Sequence, residues 1–346
     1  MSKYIPISFN NRELLLPKAI LDPELGSSTV LTNEPWEFVD LALTREGQKE
    51  AQFYWRQARE FYNVAQGLPL QSAPLLLYYS YMNATKALLS AKEITFNKYH
   101  GVKGWEPNSG GQSRFFSAGV EIKNQGILPS LSSYYGEAES LNQHSLKDLL
   151  YNLPFIHRTF SLTYASSHEM FIPLVHPRFV YEEGTNNVYF SAKLSKHYTN
   201  RKFLRVLPPS ISSPSKDPKE ILLSSQSVVV SNAAKPTDAD IAQIATFATT
   251  LRSDVFYING IQTLWYLKVL RNSRLKRQTT TLTLAAMHRL SEVCRYAPME
   301  LDNLLQGQKN WLLSEFIRMS GTQFIDELAS EITGKIFMVP NVRPAN

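Results

Sequence analysis

The chain has 346 residues, a formal net charge of +6 and a single cysteine. An apolar fraction of 43% supports a packed core and excludes a wholly disordered chain. One cysteine excludes an internal disulfide framework and any metal site that needs several cysteines, and it fits a reducing compartment. There is no apolar signal segment, and no apolar run is long enough to span a bilayer. We therefore expect a soluble, cytoplasmic protein without a membrane segment.

The first predicted elements are an irregular arm and two helices. Residues 1–45 have weak periodicity and several prolines and asparagines, which indicates an irregular arm with short strands. Apolar residues recur at helical spacing through residues 51–65, which predicts an amphipathic helix that Gly67 ends. A second helix over residues 74–89 is apolar on nearly every side. Such a helix belongs in the centre of a bundle, so the pair predicts a helical hairpin.

The middle of the chain is predicted to form β structure, and the end to be helical again. Strand-like runs flank residues 183–187, which predicts a β-hairpin, and residues 207–218 are typical of a linker. At Thr237 a capping box opens a new helix. Gly321 is expected to end one of the later helices. These later helices are predicted near residues 254–271, 279–295, 299–306, 309–319 and 322–333.

Together these elements predict an α+β protein that is mainly α-helical. It is a helical bundle built from both chain ends, with a mixed β insert. Residues 1–45 form the irregular N-terminal arm. The helical domain takes residues 46–153 and 237–334, and the β-rich insert with its linker takes residues 154–236.

Positive charge is concentrated in two segments without acidic residues, 184–216 and 255–291. They hold twelve of the 36 lysines and arginines, so the rest of the chain is net negative. Such segregation can mark a surface for phosphate or another acidic partner, although a solvated face is the alternative. The candidate binding residues of the second segment are Arg271, Arg274, Lys276 and Arg277.

Two pairs of residues are candidates for a site. Asn83 and Lys86 share a face of the apolar helix, and a buried amide and ammonium need partners. They predict a polar binding pocket with His100 nearby, unless Lys86 extends to solvent and Asn83 bonds to the backbone. His288 and Arg295 lie two turns apart on one helical face and are the candidate catalytic pair, which could bind an anion. A purely structural arginine is the alternative. Metal-binding and cofactor motifs are absent, so we expect neither group.

Several short blocks occur in a characteristic order. They are Phe61-Tyr62, Pro74-Leu75-Leu76-Leu77-Tyr78-Tyr79, Asn83-Ala84-Thr85-Lys86-Ala87, His100-Gly101, Gly119-Val120-Glu121-Ile122, Arg295-Tyr296-Ala297-Pro298 and Trp311-Leu312-Leu313. This order resembles the YaaC-like family of bacterial proteins over roughly residues 50–320. The resemblance implies a bacterial intracellular protein and brings no established reaction with it.

The first two helices are also similar to the HEPN group of helical domains, which pair a tyrosine-rich helix with an Asn-x-x-Lys-Ala-type helix. Many HEPN proteins are RNA-cutting toxins or defence factors and are often dimeric, so the similarity implies RNA as a partner and a homodimer as one assembly. Their usual catalytic motif is an arginine followed after four to six residues by a histidine. No arginine of this chain has a histidine at that distance.

Two functions are therefore open. The first is a non-catalytic or regulatory helical module of a bacterial stress or phage-defence system, which binds a protein partner or nucleic acid through the basic segments. The second is a metal-independent RNase that uses His288 and Arg295 for proton transfer and phosphate charge. A nucleotide-binding pocket is a third, less favoured option.

Overall fold

The computed structural model describes residues 4–32, 34–107, 115–213 and 221–340. Helix accounts for 45% of the chain and strand for 18%, which confirms the predicted class, α+β and mainly α-helical. The chain folds into two compact units, each made of separate parts of the sequence. The helical unit comprises Glu34–Glu169 and Leu275–Thr333, and the β unit comprises Met1–Asn33, Met170–Arg274 and Gly334–Asn346.

The helical unit is described first, with elements numbered along the whole chain. Its α-helices are α1 (Pro35–Arg45), α2 (Lys49–Gln66), α3 (Ala73–Ala91), α4 (Ile127–Tyr134), α5 (Leu146–Tyr151), α6 (His157–Thr163), α9 (Thr279–Tyr296), α10 (Pro298–Gln306) and α11 (Asn310–Thr333). Its strands β5 (Val102–Trp105), β6 (Gly119–Ile122) and β7 (Gln143–Ser145) form an antiparallel sheet in that order.

Helix α3 occupies the centre of the helical unit and packs against α2, α9 and α11. Its apolar surface explains this position, because a helix without a polar face is stable only when other elements cover every side. Tyr81 of α3 stacks on Phe324 of α11 with ring centroids 4.4 Å apart, and a 2.8 Å hydrogen bond joins its hydroxyl to that of Ser320. Helices from both halves of the sequence thus share one core.

Helix α11 is continuous, so the predicted break at Gly321 is wrong. A Cβ atom at this position would lie 2.5 Å from Cε2 of Tyr62, which belongs to α2. The glycine therefore allows a close approach of side chain to helix, and it does not end the helix. Local sequence could not show this, because Tyr62 is distant along the chain.

The β unit is built on an antiparallel sheet with strand order β10-β11-β9-β8-β14-β13, in which β1 also pairs with β8 and β12 with β9. Its strands are β1 (Tyr4–Pro6), β2 (Ser8–Phe9), β3 (Arg12–Glu13), β4 (Val30–Leu31), β8 (Phe171–Glu182), β9 (Asn187–Leu194), β10 (Ile211–Ser212), β11 (Leu222–Ser224), β12 (Val228–Val229), β13 (Val255–Ile258), β14 (Leu264–Lys268) and β15 (Phe337–Met338). Its helices are α7 (Arg201–Leu204) and α8 (Asp238–Leu251). Strands β8 and β9 form the predicted hairpin.

Three predicted segments differ from the structure. The helix predicted over residues 254–271 is wrong: the segment forms the β13–β14 hairpin, because β-branched and aromatic residues flank an Asn-Gly turn signal at Asn259. Residues 35–45, predicted as irregular, form α1, which buries Trp36 and two aliphatic residues at helical spacing. Helix α8, which the sequence groups with the helical domain, lies in the β unit, and its predicted capping box is present.

Candidate functional site

A cavity of about 470 Å³ opens in the helical unit. Tyr78 of α3, His100 from the loop before β5, and Glu292 of α9 line it together with His288 and Arg295. The three α9 residues follow one another at steps of four and three positions, so they project from one face of the helix. The packing of α3 against α9 therefore brings the predicted catalytic pair and His100 into one pocket.

Three rings form the inner part of this pocket. The rings of Tyr78 and His100 stack with centroids 5.5 Å apart, and a 2.6 Å hydrogen bond joins the Tyr78 hydroxyl to Nδ1 of His100. His288 meets Tyr78 edge to face at 5.0 Å, and the two imidazole centroids lie 6.0 Å apart. Burial raises the pKa of Tyr78, so its phenol keeps its proton at neutral pH.

The loop that carries His100 is held by the start of α4. The backbone N–H groups of Ile127 and Leu128 donate to the carbonyls of Tyr99 (2.8 Å) and His100 (3.2 Å). Gly101 and Gly126, with φ of +73° and +126°, allow the two chain segments to meet, since a Cβ on Gly126 would lie 2.5 Å from the Gly101 backbone. The position of His100 is therefore set by backbone hydrogen bonds and by two glycines.

Both imidazoles are neutral at neutral pH. His288 is 7% exposed, and its Nδ1 has no hydrogen-bond partner among the described residues. Burial, followed by the nearby His100, Arg289 and Arg295, lowers the pKa of His288 to about 3. The pKa of His100 is also lowered, by burial and then by the charges of Lys86 and Arg295, while Glu292 opposes this shift. One histidine that lines the pocket therefore has a buried ring nitrogen without a hydrogen-bond partner among the described residues.

Glu292 links α9 to β5 through a hydrogen bond. Its Oε1 accepts a 3.0 Å hydrogen bond from the backbone N–H of Gly104 and lies 4.0 Å from Nε2 of His288. Its Oε2 accepts a 3.2 Å hydrogen bond from Arg289. A Cβ on Gly104 would lie 2.6 Å from that oxygen, so a larger residue here would displace the Glu292 carboxylate. The carboxylate is thus already held by two donors.

The mouth of the pocket combines positive charge with aromatic rings. Arg295 is exposed and donates hydrogen bonds to the hydroxyls of Tyr79 (3.1 Å) and Tyr296 (3.3 Å). Its guanidinium lies over the Tyr296 ring, 5.4 Å from the centroid. Tyr99 and the exposed Lys123 also line the cavity, and Lys123 pairs with Glu121.

Asn83 and Lys86 do not line this cavity. The Lys86 ammonium donates to Oδ1 of Asn83 (3.3 Å) and lies over the Tyr54 ring, 5.2 Å from its centroid. Nδ2 of Asn83 donates to the backbone carbonyl of Tyr79 (3.0 Å). A hydrogen bond from Asn83 to the backbone is the alternative that the sequence analysis considered for this residue. Although Lys86 does not line the cavity, its charge lowers the pKa of His100.

The four basic candidates around residue 274 are divided between the two units. Arg277 is buried and pairs with Glu137 at 3.1 Å in the helical unit, where Lys276 is exposed. Arg274 pairs with Asp254 in the β unit, where Arg271 is half-buried. Arg274 and Arg277 therefore each form an ion pair within their own unit.

The two basic segments also differ in exposure. In the segment 255–291, Lys268 is buried above the rings of Phe171 and Phe256, and Arg289 pairs with Glu106 and Glu292. In the segment 184–216, five basic residues are exposed and form no ion pair with any described residue: Lys193, Lys196, Arg201, Lys202 and Arg205. We call these five the basic ridge of the β unit. Lys216 lies outside the described residues.

Sequence reasoning did not select most of the residues that line the pocket, among them Tyr78, Tyr99, Glu292 and Tyr296. Tyr99, Glu292 and Tyr296 each lie next to a predicted residue, either in the chain or one helical turn away, and this neighbourhood was the only signal for them. Tyr78 carried no signal of its own, because most residues of α3 are apolar or aromatic and Tyr78 is one of three tyrosines in the helix.

No described helix is long and apolar enough to cross a membrane. Nor do the described residues contain a group of three histidine, cysteine or carboxylate side chains arranged to hold a metal ion. Searches of curated proteins and of solved structures found no match. The model of the YaaC-like protein family matches residues 27–332, a range that contains every residue of the pocket. The chain therefore belongs to the YaaC-like protein family.

Proposed function

We propose that this protein is a non-catalytic module that binds single-stranded RNA and that its pocket receives a phosphate group of the RNA. The observation that carries the proposal is one cavity lined by both Arg295 and His288, whose buried Nδ1 has no hydrogen-bond partner among the described residues. A buried polar atom without a partner costs free energy that a bound ligand can recover. Arginine favours phosphate among ligands because its planar group donates two parallel hydrogen bonds.

The basic ridge supports RNA as the partner, because a polyanion can neutralise several exposed cations at once. Arg201 and Arg205 lie four residues apart, a spacing at which like charges on a helix repel each other. An anionic partner removes that repulsion. In the bacterial setting that the sequence resemblance implies, such binding serves regulation in a stress or phage-defence system.

The protonation of the pocket favours binding over cleavage. Metal-independent cleavage of RNA needs a base for the 2′-hydroxyl and an acid for the leaving 5′-oxygen. With a pKa of about 3, His288 is protonated in only about one molecule in ten thousand at pH 7. Glu292 is already held by Gly104 and Arg289, so it is not placed as a second base.

The second candidate is a metal-independent RNase, which the 6.0 Å separation of the two imidazoles favours. In this reaction His100 takes the proton of the 2′-hydroxyl, and the 2′-oxygen attacks phosphorus. The bond to the 5′-oxygen breaks, that oxygen takes a proton from the protonated imidazolium form of His288, and a 2′,3′-cyclic phosphate remains. Arg295 stabilises the charge that develops on the phosphate.

The full chain, incubated with end-labelled single-stranded RNA in EDTA, tests both candidates. We expect intact RNA in a complex that weakens as salt increases. Arg295→Gln should weaken binding about tenfold through loss of a charged hydrogen bond. Arg318→Gln is the matched control, because this exposed arginine of α11 does not line the cavity. RNA cleavage that disappears in His100→Ala would establish the RNase instead. If RNA does not bind even at low salt, both candidates are overturned. Binding of a protein partner is then the remaining function.

A further inference from the structure

Two aromatic rings flank the mouth of the pocket, and both are largely open to solvent. Tyr99 is 73% exposed and Tyr296 is 74% exposed, although large aromatic side chains usually bury most of their surface. The backbone carbonyl of Tyr99 is fixed by α4, and Tyr296 is held by the guanidinium above its ring. The rings are therefore carried on ordered backbone, where they offer flat apolar faces next to a cation.

The polar groups that line the same cavity include Arg295 and the two imidazoles. Arg295 contacts Tyr296 and also influences both imidazoles, whose pKa values its charge lowers. Because Arg295 and both imidazoles line the same cavity, an anionic group can bind there while an attached planar group contacts Tyr99 or Tyr296. A nucleotide has this division, with a phosphate at one end and a flat base at the other.

The size of the cavity limits the ligand. A volume of about 470 Å³ lies within the range of pockets that hold small organic ligands. A double helix keeps its base faces covered by stacking, so it cannot present one base to Tyr99 or Tyr296 without opening. An unpaired nucleotide needs no such step.

We propose that the pocket recognises a single unpaired nucleotide, which is either free or at the end of a strand. Its base stacks on Tyr99 and Tyr296, and its phosphate binds Arg295 and His288. This inference rests on the proposed function and adds the class of ligand to it. Because every base has a flat face, stacking of this kind is tolerant of base identity.

Calorimetric titration of the full chain with AMP, adenosine and inorganic phosphate tests the inference. We expect AMP to bind at least about tenfold more tightly than either part alone, since stacking adds to the phosphate contacts. Tyr99→Ala combined with Tyr296→Ala should weaken AMP binding at least about tenfold and remove its advantage over phosphate, because both stacking faces are lost. The corresponding Tyr→Phe variants keep the rings and should retain AMP affinity. Phe53→Ala is the control, because Phe53 is an exposed aromatic residue that does not line the cavity.

The outcomes separate this inference from the proposed function. If phosphate and RNA bind but AMP gains nothing over phosphate, the nucleotide inference is wrong and the RNA-binding proposal stands. Displacement of AMP by single-stranded RNA, and not by blunt duplex RNA, identifies a strand end as the ligand. If single-stranded RNA fails to displace AMP, the pocket belongs to free mononucleotides and RNA is overturned as its ligand.

Discussion

At the scale of single residues, Arg277 was predicted from the sequence as a binding residue, but in the structure it is buried and forms an ion pair with Glu137. Its side chain is 6% exposed, and the side chain of its partner Glu137 is 2% exposed. Arg277 also donates to His144, Ser132 and the carbonyl of Leu141. A buried carboxylate with this arrangement depends on its donors, because it has lost its contact with water.

We expect Arg277→Met to reduce the free energy of unfolding by about 3–5 kcal/mol, because Glu137 is left buried without its cationic partner. Urea unfolding measures this change. Lys276→Ala, at the adjacent exposed position, should change the value by no more than about 0.5 kcal/mol. A stable Arg277→Met variant with weaker RNA binding would instead make Arg277 a binding residue.

At the scale of elements, the turn between β6 and α4 positions the pocket loop. Gly126 has a backbone conformation that side chains rarely adopt, and it touches the Gly101 backbone. Gly136, just after α4, also has positive φ (+61°), but a Cβ there would meet no atom within 4 Å. A side chain at Gly136 would therefore introduce backbone strain alone, whereas a side chain at Gly126 would introduce both backbone strain and steric overlap.

Gly136→Ala should cost about 1–2 kcal/mol in unfolding free energy, the usual penalty of a left-handed conformation for alanine. Gly126→Ala should cost more, about 3 kcal/mol, since strain and overlap act together. It should also abolish AMP binding, because the loop that carries His100 must move. Chemical denaturation and calorimetry measure the two effects. Equal costs for the two variants, with AMP binding retained, would show that the loop is not held as described.

At the scale of the whole molecule, buried histidines make stability depend on pH. Burial is the first cause that lowers the pKa of His144 to about 4, of His157 to about 4 and of His288 to about 3. In the unfolded chain these residues bind protons near pH 6.5. The unfolded state therefore takes up more protons as pH falls below 6.5, and the folded state loses stability until pH approaches about 4. Burial raises the pKa of Glu137, which acts in the opposite direction, but one carboxyl does not balance three histidines.

We expect the melting temperature to be lower at pH 5 than at pH 7. His288→Gln removes one of the three groups and should reduce the difference in unfolding free energy between these pH values by up to about 2 kcal/mol. Differential scanning calorimetry at both pH values measures this change. An unchanged difference in the variant would show that His288 is protonated equally in both states.

The main helices and their ends were predictable because their signals are local. Helical spacing located α2 and α9, and a capping box at Thr237 marked the start of α8. The β13–β14 hairpin was missed, since a short apolar run is compatible with both helix and strand. Of the pocket, the face shared by His288 and Arg295 was also predictable, because it follows from helix periodicity alone.

The sequence by itself therefore determined the helical class, the family resemblance and which α9 residues share a face. Only the tertiary structure decided which charges remain exposed: Arg277 is paired by Glu137, which is 140 residues away, whereas the basic ridge stays open. It also decided that Tyr78, His100 and His288 form one cluster. The physical reason is that burial and pairing depend on distance in space, and residues far apart in the chain leave no local pattern that records their contact.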